Sequence, residues 1–299
     1  MYYLLSLLGG ALIAVMVVIN GRLTALVSAQ FATVIIHVVG LFLIGTIAVL
    51  RRDRAALRPQ KWYLYLGGVI GVATTMCNVL AFSRISVSAL LALALFGESL
   101  TGLVIDQYGL LGHERHPFAR RKLLGLALLV AGIASMLTEL DAFAVALCVI
   151  AGICTVVSRI LNGTLGQRTS VTASTLLNYI TGLLVAVPLC ALLSAGETLR
   201  LPDIAWREAY IYLGGALGVV IVLMSVVIVT KIPTLYMTLA MFVGQIFAGI
   251  LLDILLTGAF SARNLIGGVL VAAGLCLNLW FDRKKQASHG AAQGAASKP

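Results

Sequence analysis

From Tyr2 to Leu50 the chain carries one formally charged side chain, Arg22. Apolar runs of similar length recur almost to its end, and this excludes most folds at once. Hydrophobic residues make up 61% of the 299 positions and charged residues 11%, where soluble domains hold about a quarter charged. Too few polar groups exist to face water, so the solvent must be lipid. Lipid offers no partner to a backbone N–H or C=O, so each spanning segment must satisfy its own as a helix. A hydrocarbon core of ~30 Å takes about 20 residues per helix. On that measure the chain divides into ten spans, at 3–22, 30–50, 62–82, 86–106, 122–140, 143–164, 172–194, 209–230, 233–256 and 263–281. The predicted class is an all-α integral membrane protein with ten transmembrane helices.

The charges fall where such a topology puts them. Arg51, Arg52, Arg54, Arg58 and Lys61 follow span 2, Arg120, Arg121 and Lys122 precede span 5, and Arg283, Lys284 and Lys285 follow span 10. The opposite side holds scattered single arginines, such as Arg22 and Arg84. Basic residues accumulate on the cytoplasmic side, so both termini are expected in the cytoplasm and the chain in an inner (plasma) membrane. A net charge of +10 distributed this way is a topology signal, and no nucleic-acid partner is expected. The N-terminus lacks a basic n-region and reads as a retained first span. All five cysteines lie inside apolar runs with no metal-ligand spacing, and His113, Glu114 and His116 read as solvated charge in a loop. No metal and no cofactor are expected. A G-x-x-x-x-G-K-[ST] loop for nucleotide is absent from the sequence.

The chain also repeats itself. "GESLTGLVIDQYG" begins at Gly97, and "GQIFAGILLDILLTG" at Gly244 matches it: Gly97, Gly102 and Asp106 recur as Gly244, Gly249 and Asp253. At one position the letter changes, from Glu98 to Gln245. "INGRL" (19–23) matches "LNGTL" (161–165), "YLYLGGVIG" (63–71) matches "YIYLGGALG" (210–218), and Arg121, Gly125 and Gly132 match Arg263, Gly267 and Gly274. Each half holds five spans. Five is odd, so the second half enters the membrane upside down, as in alternating-access transporters with midplane sites between inverted repeats. The expected organisation is a first five-helix repeat at 1–140, a second, inverted one at 141–282, and a disordered Ala/Gly/Ser-rich cytoplasmic tail at 283–299.

The ordered set N-x-x-L, G-G-x-x-G, G-[Q/E]-x3-G-x3-D and R-x3-G, present in both halves, resembles the YdcZ-like family of the drug/metabolite transporter superfamily in its fused two-repeat form. The resemblance implies a ten-helix fold with a central cavity lined by spans 1, 3, 4, 6, 8 and 9, and spans 5 and 10 at the periphery. Position 98 is more often Gln in that family.

Glu98 is the leading candidate for chemistry. It lies about 18 Å into span 4, near the bilayer centre. A charge there costs about 2.5–3.5 kcal/mol on insertion scales, so such residues usually face the bundle interior and have a function. Gln245 is its uncharged counterpart. Asn20 and Asn162 end spans 1 and 6 before a glycine, a helix-stop pattern that also sets an amide at a cavity mouth. Thr75 and Asn78 form the polar end of a stripe on span 3. Arg159 sits in span 6 about one turn from its end, where it either snorkels to the interface, binds an anionic group or pairs with Glu98. His37 in span 2 is either a neutral packing residue or a proton relay. Tyr236 is placed to line a cavity. Asp106 and Asp253 are either capped helix ends or gates that pair with basic residues at each mouth, such as Arg120, Arg121 or Lys231 for Asp106. The glycines of spans 5 and 10 are either a homodimer seam or internal packing.

The function expected from this pattern is secondary transport, outward, of a small metabolite or drug-like solute, with membrane lipid as surrounding partner and a proton exchanged at Glu98 against a cationic or zwitterionic solute. The alternatives are an uncoupled facilitator, a flippase for a lipid-linked group, and, from another class, a non-transporting membrane scaffold. An enzyme is not expected, because the spacing requires no nucleophile–base pair.

Overall fold

In the computed structural model the described residues are 1–53, 59–82, 84, 85, 87–112, 123–136, 141–194, 206–257, 262, 263, 265–270, 272–274, 276, 277, 280 and 281. The His113–Glu114–His116 loop, Arg120, Arg121 and the tail at 283–299 lie outside them. Among the described residues the elements are α1 (Tyr2–Leu26), α2 (Ala29–Leu50), α3 (Leu66–Phe82), α4 (Val87–Tyr108), α5 (Leu123–Met136), α6 (Ala142–Arg168), α7 (Val171–Leu193), α8 (Leu213–Ile228) and α9 (Thr234–Thr257), with no strand. A shorter apolar helix, α10, covers Leu265–Gly274. Among the described residues, eight segments are long and apolar enough to cross a bilayer, α3 and α8 qualifying together with residues of the 3-10 turns Trp62–Tyr65 and Trp206–Tyr212 that lead into them. Among the described residues, α5 and α10 lie within the spans expected at 122–140 and 263–281.

The expected stop at Asn-Gly is corrected. α1 runs on past Asn20 to Leu26, and α6 runs past Asn162 to Arg168. In lipid, a helix that stops early exposes carbonyls with nothing to accept from, and this outweighs a local stop signal. The glycines serve contact instead. A Cβ on Gly21 would lie 2.2 Å from the Phe82 ring, and one on Gly163 would lie 2.3 Å from Val229 Cγ1. Tight corners follow each long helix, and the next helix is capped by serine in both halves: Ser28 accepts from Phe31 N–H, and Ser170 from Ala173 N–H.

Helix pairing is symmetric under exchange of the sequence repeats. α1 packs on α9 and α8, and its counterpart α6 packs on α4 and α3. α2 meets α8 as α7 meets α3, while α2 with α7 and α4 with α9 pair with their own counterparts. The closest crossings use matching glycines. A Cβ on Gly152 would sit 2.2 Å from the Ala94 carbonyl oxygen, and one on Gly10 would sit 1.7 Å from that of Met241. In return, a Cβ on Gly97 would sit 2.3 Å from the Val149 carbonyl, and one on Gly244 would sit 1.9 Å from that of Leu7. Small residues that let backbones approach drive helix association where no hydrophobic effect operates. At the periphery, a Cβ on Gly274 would lie 2.6 Å from the Gly125 carbonyl, so these two glycines meet within the chain.

Contacts at the helix ends fix the up-and-down order. Arg22 bonds to Tyr210, and Gln30 donates to Ser194 at 3.0 Å, joining the α1–α2 corner to the α7–α8 connection. Ser170 bonds to Asp53 at the other end. Arg84, between α3 and α4, holds Asp141 at 3.2 Å where α6 begins. Asp141 also caps α6, and the Ala144 N–H together with Arg84 holds its carboxyl below the usual carboxylate range.

Candidate functional site

α6 presents one polar stripe, Thr155, Ser158, Arg159 and Asn162, at the i, i+3, i+4, i+7 spacing of a single helix face. Across from it, α4 presents Glu98. Arg159 Nη1 donates to Glu98 Oε2 at 2.5 Å, and Nη2 reaches Oε1 at 3.5 Å. Both residues are buried, at 8% and 7% exposure. The Gly152 crossing makes this possible, since it seats α6 against α4 one turn from Glu98 and two turns from Arg159. α6 continues nine residues beyond Arg159, so the guanidinium lies deeper than the one turn expected and pairs with Glu98. Glu98 is therefore half of an ion pair, and Arg159 takes the pairing option that the sequence left open.

The stripe is anchored from behind. Ser158 donates to the Gly67 carbonyl at 2.7 Å, and Asn162 Nδ2 donates to Asn178 Oδ1 at 2.7 Å and to Ser158 Oγ at 3.2 Å. Ser174 donates to the Asn162 carbonyl at 2.6 Å. These bonds tie α6 to α3 and α7, so the arginine projects from a fixed helix.

The ion pair forms part of the wall of a cavity of about 170 Å³. The wall comes from α1, α3, α4, α6, α8 and α9, the six helices expected to line it. Its two sides differ in chemistry. Thr74 and Asn78 of α3, Glu98 of α4 and the α6 stripe bring polar groups to one side, beside Leu90, Leu91 and Ala94 of α4. Ile13, Met16 and Val17 of α1 with Ile221, Val222 and Val226 of α8 form an apolar side, relieved by Ser225 and by Gln245 of α9. The two sides are equivalent by repeat: Thr155, Ser158 and Arg159 correspond to Ile13, Met16 and Val17, and Thr74 and Asn78 to Ile221 and Ser225. A symmetric skeleton thus carries an amphipathic lining. Asn78 Oδ1, Asn162 Oδ1 and Ser225 Oγ are buried there with no hydrogen-bond partner among the described residues, each a group whose desolvation costs about 1–3 kcal/mol until a partner supplies a bond.

The same family, described as "Putative inner membrane exporter, YdcZ", matches the chain twice, over residues 1–135 and 143–277. The chain belongs to the YdcZ family. Two matches to one family, covering nearly the whole length, make it a fused two-repeat form. As a YdcZ-family protein of the drug/metabolite type it is a multi-pass inner-membrane transporter. No curated protein sequence matches it. A solved structure titled only "Crystal structure of protein" superposes with a TM-score of 0.67 over 95% of this chain and 96% of its own, at 17% identity, a likeness of fold.

Of the residues singled out in this YdcZ-family sequence, the cavity gathers Glu98, Arg159, Asn162, Gln245 and Asn78. The others are elsewhere. Thr75 bonds back to the Gly71 carbonyl while its neighbour Thr74 lines the wall. Asn20 packs on Gly214, as Asn162 packs on Gly67, but only Asn162 is among the described wall residues. Tyr236 is buried in the apolar core around Leu90, Leu91 and Leu239. His37 lies in the α2–α7 seam, its Nδ1–H donating to the Thr33 carbonyl at 2.8 Å and its ring centroid 5.8 Å from that of Tyr179. Tyr179 is also its repeat equivalent. Asp253 sits on α9, with its side chain outside the described structure. Sequence reading passed over Ser158 and Thr155. The stripe on α6 was the available signal, since four polar residues on one face of a membrane helix need a reason.

Asp106 caps a helix other than its own. It is buried at the end of α4, and its Oδ2 accepts from the Leu235 N–H in the first turn of α9 at 3.1 Å. Negative charge at a helix N-terminus satisfies an orphan donor and meets the positive end of the dipole. Asp106→Ala should lower stability by about 0.5–2 kcal/mol, the usual worth of a cap. Unfolding of the detergent-purified protein measures this, and an unchanged midpoint would show that the bond carries no weight.

Proposed function

We propose that the chain is a secondary transporter, working as an exporter, that moves a small solute by alternating access between two inverted five-helix repeats. The Glu98–Arg159 pair stands at the centre of the pathway. What carries this reading is that the pair joins α4 of the first repeat to α6 of the second in the wall of a central cavity. If the repeats rock against each other, this is a bond that the motion strains, and anything that breaks it biases the motion. A ligand shifts such an equilibrium only by its differential affinity for the two states. A proton on Glu98 and a solute charge on either partner would each break the pair. That is the physical form of proton–solute exchange at Glu98. The symmetric helix pairing and the repeated family match support the two-repeat mechanism.

The test is solute flux in proteoliposomes across a range from mildly acidic to mildly alkaline pH. Glu98→Gln should remove the pH dependence, because it removes the one carboxylate of the described wall. If the variant keeps the wild-type profile, Glu98 is a buried neutral acid and the coupling through it fails. Orientation follows from the basic residues: cysteines introduced at Gln293 and Ala195 should be labelled from opposite sides of the membrane, with Gln293 cytoplasmic. Labelling of both from one side would break the inverted arrangement.

A further inference from the structure

Resting on that transport reading, we infer that the cavity is built for a small zwitterion with an apolar side chain: an ammonium and a carboxylate on neighbouring carbons, as in an α-amino acid with an uncharged side chain. Three observations lead here. First, the described wall holds one carboxylate and one guanidinium, paired with each other. A solute bearing only a cation would take Glu98 and leave Arg159 buried without a counter-ion, and a solute bearing only an anion would do the reverse. An uncompensated buried charge is strongly unfavourable. A zwitterion inserted between the two satisfies both, its ammonium on Glu98 and its carboxylate on Arg159. Arginine's planar fork suits a carboxylate.

Second, the opposite side of the cavity is apolar. Met16, Ile221 and Val222 stand where the repeat would place the equivalents of Ser158, Thr74 and Thr75. A solute with its charges on α4 and α6 therefore has an aliphatic or aromatic surface to cover with its tail. Third, the volume is about 170 Å³. Drug-sized ligands occupy pockets of about 300–1,000 Å³, while a cavity of about 150 Å³ takes benzene. The space suits a compact solute.

Binding is measured by thermal shift and calorimetry on the purified full-length protein, using matched sets of probes. L-alanine is compared with ethylamine and propionate, L-valine with isobutylamine and isovalerate, and L-phenylalanine with phenethylamine and 3-phenylpropionate. At least one amino acid should bind about tenfold or more tightly than both of its single-charge counterparts, as expected for a second charge-assisted hydrogen bond. Glu98→Gln should turn the preference toward the acids, and Arg159→Gln toward the amines. Should either single variant fail to fold, the double variant Glu98→Gln with Arg159→Gln, which leaves no unpaired charge, should lose the preference for zwitterions. Amines or acids that match the amino acids in every set, or no amino acid that binds, would overturn the inference. Counterflow in proteoliposomes separates it from the transport reading. Amino-acid binding without flux would sink transport and keep the zwitterion site, whereas flux of an amine without amino-acid binding would do the opposite.

Discussion

Arg159→Ala should destabilise the folded protein by about 3–5 kcal/mol, the cost of leaving one member of a buried ion pair uncompensated. The sequence alone argues for a milder outcome. The repeat partner of Arg159 is Val17, so the fold as such needs no base at that point. The structure argues for the larger effect, because the guanidinium pairs with Glu98 in a buried setting. Removing Glu98 as well should restore most of the loss, since replacing a whole buried pair is often neutral or stabilising. A double-mutant cycle of unfolding in detergent measures the coupling. Additive single and double substitutions would mean that the pair is energetically idle. Flux should be lost in the single and the double variant alike, which separates the pair's role in transport from its role in stability.

Gly152→Ala should be nearly as damaging without touching a charge. The added methyl would lie 2.2 Å from the Ala94 carbonyl oxygen and 2.7 Å from Glu98 N, both backbone atoms that no rotamer change can move aside. α4 and α6 must part, at the cost of about 1–3 kcal/mol typical of overpacking, and the ion pair is stretched with them. Gly249→Ala is the control, for a Cβ there meets nothing within 4 Å and alanine improves helix propensity by up to about 1 kcal/mol. Unfolding midpoints and flux read both. Equal behaviour of the two variants would show that the crossing at Gly152 is looser than its geometry.

The repeats, the apolar spans and the acidic centre were legible in the sequence because each rests on a local rule: lipid forbids charge, and duplicated motifs keep their spacing. The pairing of Arg159 with Glu98 was legible only as one option, since spacing along two helices does not say how they cross. The choice between Asn20 and Asn162, and between Thr75 and Thr74, turned on something a single sequence does not encode. Repeat equivalence shows which positions correspond, but not which member of a pair meets the cavity. Adjacent residues on a helix point about 100° apart, so Thr74 reaches the wall where Thr75 does not. His37 stood out as a lone polar residue. Only its packing against Tyr179 and Gly182 places it in a seam away from the ion pair.

The ion pair takes its acid from one repeat and its base from the other, while the equivalent positions hold Gln245 and Val17. Each half taken alone is thus electrically incomplete. Two copies of the first half would bring together two carboxylates with no base, and two copies of the second would bring together two guanidiniums with no acid. Like charges in a low-dielectric interior repel strongly, so split halves expressed together should assemble as unlike pairs. The single polypeptide does more than tether its repeats: it lets them diverge into complements that select each other.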